Sequence, residues 1–553
     1  MPWARLLIQR PPQRGQMLVL FALAFVFIAA GVGLGADMGL WTVERQRLQT
    51  AVDAGAIAGA RYLVAYAGDG NALSVATSQA QQYMADYGYP AGAFSGAGRS
   101  LSVTGDPAQR SLSVAATWRR PSLLLWLVGI RNLDARASAT AVADIKADVY
   151  VMIDVTASMS TTDLQNAVTA LSDPSRGFIN LLGLDPANPQ GPQIAIGRFV
   201  GERCQRISPS SDSSNNYRYG SSYTNPFDSR NWVAYANWKA SPVSPWCDWT
   251  TPTAGPRLYD SSGNFNPPRV YIGSSTVYTN YGRSTVSNSK GNNPATPPDL
   301  KGSYWTESNP TQGTWWNPHY PGATTRYLLG MNRTQALSVV NSVSALQSGL
   351  YGGADDNCGN PGGPYGYADQ RPYRGTNATN PCFRAGTSHV AGLVTAAYEL
   401  NSPRARATQP GYENYRRVLI LQTDGVQCGL GIPFTRAQAE ARAVDVANQM
   451  KNNPNPYRGI EIFTIMFWSS NNGQTCNNSE TNDDLASSGP NCPGPLASAN
   501  LVGGYADQYM INLSSSAPGT CDHYYPAAKS DPNSLVNAYR GILTRLAVGT
   551  IRS

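Results

Sequence analysis

The sequence predicts an α/β protein in two parts: an N-terminal transmembrane helix with a small α+β module, and then a doubly wound parallel sheet with large loop insertions. Three observations support this prediction. A long apolar run lies near the N-terminus, three segments with period-two alternation follow it, and beyond residue 147 short apolar runs alternate with helical patterns. Alternation of strands and helices is typical of a parallel sheet covered by helices on its faces.

The apolar run spans residues 17–36 without a charged side chain, which is long enough to cross a bilayer as a helix. Arg5, Arg10 and Arg14 precede it, so the positive-inside rule places residues 1–16 in the cytoplasm and the rest outside. A cleaved signal peptide is the alternative, but the run is longer than a usual signal core and no clear Ala-x-Ala site follows. We therefore expect a single-pass protein with an extracytoplasmic C-terminal part.

The composition fits this placement. The chain has 553 residues, of which 42% are hydrophobic and only 14% are charged, and its formal net charge is +7. Beyond the N-terminal arginines the basic residues are scattered, so no nucleic-acid partner is expected. Sparse charge together with abundant Gly, Pro, Asn, Ser and Tyr indicates long polar loops between regular elements.

All eight cysteines lie beyond residue 200. An even number on the outer side of a membrane indicates disulfides, and no C-x-x-C pair points to zinc or redox chemistry. Proximity favours three pairs and leaves a fourth, although sequence alone does not fix the connectivity: Cys204 with Cys247, Cys358 with Cys382, Cys476 with Cys492, and Cys428 with Cys521.

The module of residues 37–146 begins with helix. No proline interrupts the chain after the apolar run, so the helix is predicted to continue to about residue 67, with small residues that allow close helix packing. A second helix follows at about 72–87. Segments 100–104, 111–117 and 135–142 alternate with period two and predict strands of a small antiparallel sheet.

This N-terminal region resembles the TadE/TadG-like proteins of Flp pilus assembly. The resemblance is carried by Arg14-Gly15-Gln16, by Asp37, and by the stretch Leu48-Gln-Thr-Ala-Val-Asp53-Ala-Gly-Ala-Ile-Ala-Gly-Ala60. It covers about the first 145 residues and implies a pilin-like module in the bacterial inner membrane or a pilus, with pilus-assembly proteins or pilins as partners. Leu20 stands where a prepilin peptidase site after Gly15 would have Glu, so such processing is not expected.

The second part, residues 147–548, reads as alternating strands and helices. Two segments interrupt this pattern, 201–325 and 351–385, and both are predicted to be loop insertions rich in Gly, Asn and Pro. Strands are predicted at 149–153, 193–200, 417–423 and 460–467, and helices at 163–184 with a break at Pro174, 334–346, 388–400, 435–451 and 534–546.

Polar side chains follow the apolar strands of this part. Asp154-Val-Thr156-Ala-Ser158 directly follows the first strand, Thr387 precedes a helix, and Asp424 follows a later strand. In open α/β sheets, ligands bind beyond the carboxyl ends of the strands. Carboxylates and hydroxyls are oxygen ligands that suit a hard cation, so the pattern predicts one cation site from these residues.

In order and type, these residues resemble the metal-ion-dependent adhesion site of von Willebrand factor A (vWA) domains, whose fold is Rossmann-like. The resemblance covers about 147–548 without the insertions. It implies Mg²⁺, or Mn²⁺ or Ca²⁺, bound by Asp154, Thr156, Ser158, Thr387 and Asp424, with Thr156 in place of the more usual Ser. It also implies that a carboxylate of a partner completes the coordination.

Hydrolase and nucleotide-binding motifs such as Gly-x-Ser-x-Gly, His-Glu-x-x-His and a Walker loop are absent, so a binding protein is expected, not an enzyme. Two alternatives stay open: a metal-dependent surface enzyme acting on glycans, and an inert envelope scaffold. His389 lies near the predicted site and is interpreted as a polar residue at a helix N-terminus. The insertion 201–325 forms either its own aromatic core or a contact surface for a protein or glycan, and its tryptophans are Trp232, Trp238, Trp246, Trp249, Trp305, Trp315 and Trp316.

Overall fold

The chain, described here by a computed structural model, divides into two compact units. The first comprises residues 1–144 and 547–553, and the second comprises residues 145–546. The structure describes residues 14–156, 159–184, 188, 190–199, 257–259, 261, 263, 270–272, 276–279, 282–283, 304–305, 315–316, 323–327, 329–330, 333–347, 387, 389–402, 404–425, 436–453, 459–468, 504–518, 520–529 and 531–552.

The first unit packs two helices with a four-stranded sheet. The helices are α1 (Arg14–Tyr66) and α2 (Ala72–Asp86). Three strands pair antiparallel in sequence order, and the C-terminal strand (Ala547–Arg552) lies beyond the third. The three are β1 (Ser100–Asp106), β2 (Ser111–Pro121) and β3 (Asn132–Ile145).

The predicted helices and three-stranded meander are thus confirmed. Small residues let α1 approach α2 closely, as predicted. A Cβ on Gly55 would lie 2.9 Å from the carbonyl oxygen of Ala80, and one on Gly59 would lie 2.9 Å from that of Ala76. Backbones that approach so closely leave no room for a side chain.

Asp37 of α1 hydrogen bonds the connection between β2 and β3. Its carboxylate is 2% exposed and accepts three backbone N–H bonds, from Leu123, Leu124 and Leu125, at 2.6, 2.8 and 2.7 Å. Burial raises the pKa of Asp37, but these donors and the charge of Arg120 outweigh burial and lower it. A carboxylate at the start of the short 3₁₀ turn Leu125–Val128 satisfies N–H groups that would otherwise lack partners.

The prediction of a transmembrane helix at residues 17–36 is not supported. These residues do belong to α1. Among the described residues, however, no helix combines the length and apolar character needed to cross a bilayer.

The second unit is built on a six-stranded sheet. The strands of this unit are β4 (Ala147–Asp154), β5 (Gln193–Phe199), β6 (Val270–Ile272), β7 (Thr276–Thr279), β8 (Gly282–Arg283), β9 (Tyr304–Trp305), β10 (Trp315–Trp316), β11 (Ala323–Tyr327), β12 (Arg416–Thr423), β13 (Ile460–Trp468) and β14 (Tyr524–Ala528). The order in the six-stranded sheet is β11-β5-β4-β12-β13-β14; all neighbours are parallel except the edge strand β11, which is antiparallel to β5. Two small sheets, β6-β7-β8 and β10-β9, are also described.

Helices cover this sheet, as expected for central strands that are buried on both faces. The helices are α3 (Thr161–Ser172), α4 (Phe178–Leu182), α5 (Arg333–Val339), α6 (Val343–Gln347), α7 (His389–Leu400), α8 (Arg436–Lys451), α9 (Gly504–Leu513) and α10 (Pro532–Leu546). Residues of α7, α8 and α9 share one core with Tyr150, Met152, Leu419 and Leu421 of the sheet. Tyr539 of α10 donates a hydrogen bond to Gln422 of β12.

The mixed α/β fold with a parallel sheet is confirmed. The predicted break at Pro174 is also confirmed, since α3 ends at Ser172 and α4 begins at Phe178. The helix predicted at 334–346 is divided between α5 and α6, which was not expected. Proline lacks an N–H and clashes with the preceding turn, which explains the break at Pro174.

Several elements were not predicted. Besides the short strands β6–β10, they include α9, β14, the C-terminal strand and the antiparallel strand β11, which returns from the predicted insertion 201–325 to the sheet. Most of both insertions lies outside the described residues, and so do seven of the eight cysteines. Each of the four predicted disulfide pairs therefore has at least one cysteine outside the described residues. Cys521 is buried and disulfide-bonded.

Candidate functional site

The topology singles out one point on the carboxyl edge of the sheet. The parallel strands lie in the order β5-β4-β12-β13-β14, which is 2-1-3-4-5 when they are numbered along the chain. The connection after β4 therefore runs to the neighbour on one side, β5, and the connection after β12 runs to the neighbour on the other side, β13. Such a switch point opens a crevice between two adjacent strand ends, where α/β proteins bind ligands. Asp154 ends β4 and Thr423 ends β12.

Asp154 lies in this crevice and is fully buried. Its Oδ1 accepts the backbone N–H of Thr156 at 2.8 Å, and its Oδ2 accepts the hydroxyl of Thr423 at 2.6 Å. Burial, and then the negative charge of Asp424, raise the pKa of Asp154, while the hydrogen bonds from Thr423 and Thr156 lower it. A cation would stabilise the ionised form of Asp154, which burial and the charge of Asp424 disfavour.

A buried chain of hydrogen bonds connects Asp154 through Thr423 to His389 and Tyr509. His389 Nε2 lies 3.3 Å from Thr423 Oγ1, and His389 Nδ1 lies 2.7 Å from the hydroxyl of Tyr509. Because the Thr423 hydroxyl gives its proton to Asp154, we assign Nε2–H as the donor to Thr423 and the Tyr509 hydroxyl as the donor to Nδ1. Burial lowers the pKa of His389 to about 3, so the ring is neutral.

A lysine contributes a positive charge to this edge. Lys529 directly follows β14, and its Nζ lies 2.8 Å from Asp424 Oδ2 and 3.2 Å from Asp163 Oδ2. Asp163 belongs to the first turn of α3, where it forms a capping box with Ser160: each residue accepts the backbone N–H of the other. The ammonium is thus held between two carboxylates on separate elements.

Of the five predicted ligands, the structure brings together Asp154, Thr156 and Asp424. Thr387 is buried just before α7, but no contact from it to Asp154 is observed among the described residues. Ser158 lies outside the described residues. No cluster of three or more His, Cys, Asp or Glu side chains suited to a metal occurs in the described part of the chain. The predicted ligands other than Asp154 and Asp424 carry hydroxyls.

These donors fit a hard cation in type. Carboxylates and hydroxyls suit Mg²⁺, which prefers oxygen and usually keeps several waters. Sequence reasoning missed Lys529, Asp163 and the supporting role of His389. The sequence signal for His389 was its place two residues after Thr387, whereas Lys529 follows a strand that contains Pro526 and therefore does not read as a strand.

Comparison with known proteins gives one family match. Residues 15–61 match the model described as "Putative Flp pilus-assembly TadE/G-like". The match includes Asp37, which fastens α1, and Gln49, whose side-chain amide donates to Asp53 Oδ1 at 2.7 Å and to the carbonyl of Ser138 at 3.1 Å. A search of curated proteins found no match.

Two solved structures of pilus adhesins are weakly similar. SpaC from Lactobacillus rhamnosus GG is 9% identical with a TM-score of 0.30, and the match covers 81% of this chain and 34% of that one. RrgA from Streptococcus pneumoniae is 9% identical with a TM-score of 0.28, and the match covers 82% of this chain and 49% of that one. The chain therefore spans between a third and a half of their lengths, and likeness at this level does not establish a shared fold.

Proposed function

We propose that this chain is an extracytoplasmic, non-enzymatic protein of a bacterial Tad/Flp-type pilus system, and that its second unit is a vWA-like domain that binds partners through a divalent cation. The match of residues 15–61 to the TadE/G-like model supports the pilus system. Asp154 supports the cation site, because a fully buried carboxylate at the switch point faces the charge of a second carboxylate. The proposal does not depend on a membrane span.

Asp154, Thr156, Ser158, Thr387 and Asp424 would hold the cation. When bound, a dication with few charged ligands supplies an electrophilic position that a carboxylate of a partner can fill. The chain's own part is to orient the ligands. The N–H of Thr156 and the hydroxyl of Thr423 fix the carboxylate plane of Asp154, and His389 in turn fixes the Thr423 hydroxyl.

Partner capture tests this proposal. Wild type, Asp154→Asn and Asp148→Asn are used to capture proteins from envelope extracts of a piliated bacterium, with and without EDTA. Asp148 is a matched control, since it is also fully buried and lies on the same strand, near its other end. We expect capture by wild type and Asp148→Asn that EDTA abolishes, and no capture by Asp154→Asn.

Capture that is equal in all three proteins and insensitive to EDTA would contradict the cation site and favour a scaffold.

Deletion of the gene gives the second test. Loss of pili or of surface attachment is expected, and normal piliation and attachment would contradict a role in the pilus system.

A further inference from the structure

The carboxyl edge of the sheet holds a cation that belongs to the chain itself. The Lys529 side chain is 9% exposed, and its ammonium contacts Asp424, 1% exposed, and Asp163, 9% exposed. The Lys529 ammonium lies 2.8 Å from Asp424 Oδ2 and 3.2 Å from Asp163 Oδ2. A cationic side chain of the protein therefore already hydrogen bonds a carboxylate of the candidate cation site.

The fold places this ammonium firmly. Lys529 directly follows β14, which pairs in parallel with β13 from Thr464 opposite Tyr524 to Trp468 opposite Ala528. Asp163 is fixed by its capping box, in which its Oδ2 also accepts the backbone N–H of Ser160 at 2.9 Å. Regular elements thus fix the backbone of Lys529 and the carboxylate of Asp163, which favours the charge-assisted contact between them.

We propose that Lys529 is an intramolecular counter-cation that competes with the divalent cation for Asp424 and so sets the affinity of the site. This inference rests on the proposed function, because it concerns the same site. A dication bound by Asp424 and an ammonium hydrogen-bonded to Asp424 share one carboxylate group. When both bind Asp424, the dication and the ammonium each interact with only part of the negative charge of the carboxylate. Their positive charges also repel each other at short range.

The competition has a functional consequence. In the absence of a dication, Lys529 neutralises part of the negative charge and keeps the edge of the sheet folded. A dication has to overcome this existing ion pair, so the site is expected to fill only at high cation concentration and to release Lys529 from Asp424 when it does. Binding to a partner would then depend on the divalent cation concentration outside the cell.

Titration calorimetry on the full chain tests the competition with MgCl₂ and MnCl₂ as probes. Wild type is compared with Lys529→Met, which removes the charge but keeps an unbranched chain, and with the matched control Lys529→Arg, which keeps the charge. Loss of the ammonium is expected to tighten cation binding by about tenfold or more. The Lys529→Arg control is expected to stay within about threefold of wild type because its charge is retained.

Thermal unfolding gives a second readout. Without a divalent cation, Lys529→Met should melt below wild type because Asp424 and Asp163 lose their counter-charge, and added MgCl₂ should raise its melting temperature more than that of wild type. Lys529→Gln, which keeps a hydrogen-bond donor, serves if Lys529→Met does not fold.

The outcomes separate the two proposals. Equal affinities in wild type and the neutral variants would overturn the competition while the cation site stands, and so would weaker binding by the neutral variants. If neither cation binds any variant, the competition and the cation site of the proposed function both fail. Tighter binding by the neutral variants alone supports the competition.

Discussion

At the scale of single residues, β4 carries two fully buried carboxylates with different surroundings. Asp154, at the carboxyl end, lies with threonine donors near a second carboxylate. Asp148, near the amino end, accepts the backbone N–H of Ala407 at 2.7 Å. Burial raises the pKa of Asp148 to about 7, although this N–H and the charges of Arg406 and Arg417 lower it. We therefore interpret Asp148 as a structural carboxylate and Asp154 as a candidate cation ligand.

Asp148 gives a pH prediction whose sign follows from its raised pKa. The folded state holds the proton up to about pH 7, whereas the unfolded chain releases it near pH 4. The stability that Asp148 contributes is therefore complete below about pH 4 and is lost as the pH rises toward 7, by about 1.4 kcal/mol per pH unit.

Asp148→Asn tests this dependence, because Asn stays neutral and keeps an oxygen that can accept the N–H of Ala407. The free energy of unfolding of the variant relative to wild type should rise between pH 4.5 and pH 7, as measured by urea denaturation. Asp173 gives the control: it is more exposed, and hydrogen bonds outweigh burial and lower its pKa, so Asp173→Asn should not show this rise. A relative stability of Asp148→Asn that is flat with pH would contradict the prediction.

At the scale of elements, local periodicity made much of the fold predictable. The strands β1, β2 and β3 alternate in sequence, and β4 and β12 are apolar runs that need no distant partner to be recognised. In contrast, β14 contains Pro526, which a strand tolerates at the edge of a sheet, and β14 is an edge strand. The position of Lys529 could not be predicted because it depends on that pairing.

Helix α1 gives a prediction at this scale, since the same substitution has opposite effects at two of its glycines. A Cβ on Gly59 would lie 2.1 Å from Leu112 Cδ2 and 2.9 Å from the carbonyl oxygen of Ala76. A Cβ on Gly39 would have no neighbour within 4 Å. Overpacking against backbone costs roughly 1–3 kcal/mol, whereas Gly→Ala in an open helix position gains up to about 1 kcal/mol.

Gly59→Ala is therefore expected to lower the free energy of unfolding of the first unit, and Gly39→Ala is expected to raise it. Hydrogen exchange of α2 and β2 in the full chain reports on this unit. Equal effects of the two substitutions would show that α1 does not pack on α2 and β2 as the structure has it.

At the scale of the whole molecule, the sequence shows an order of segments but not which of them fold together. The C-terminal strand directly follows α10 of the second unit, yet it belongs to the first unit. Its six residues include a glycine and carry no strong strand pattern. Its partner β3 is about four hundred positions away in sequence, as the contact of Thr550 Oγ1 with the carbonyl of Val142 at 3.4 Å shows. Pairing over such a separation leaves no local signal.

This topology predicts what removal of the C-terminal strand does. Deletion of residues 547–553 exposes the edge of β3 and removes the close contact of Gly549 with α1, where a Cβ would lie 2.7 Å from Ile57 Cγ2. Amide exchange in β3 should accelerate by about tenfold or more. Exchange in β12, which lies in the second unit, should stay unchanged. Gly549→Val tests the same contact without deletion and should accelerate exchange in β3 and in α1 near Ile57. Unchanged protection of β3 in both variants would mean that the C-terminal strand does not contribute to the first unit.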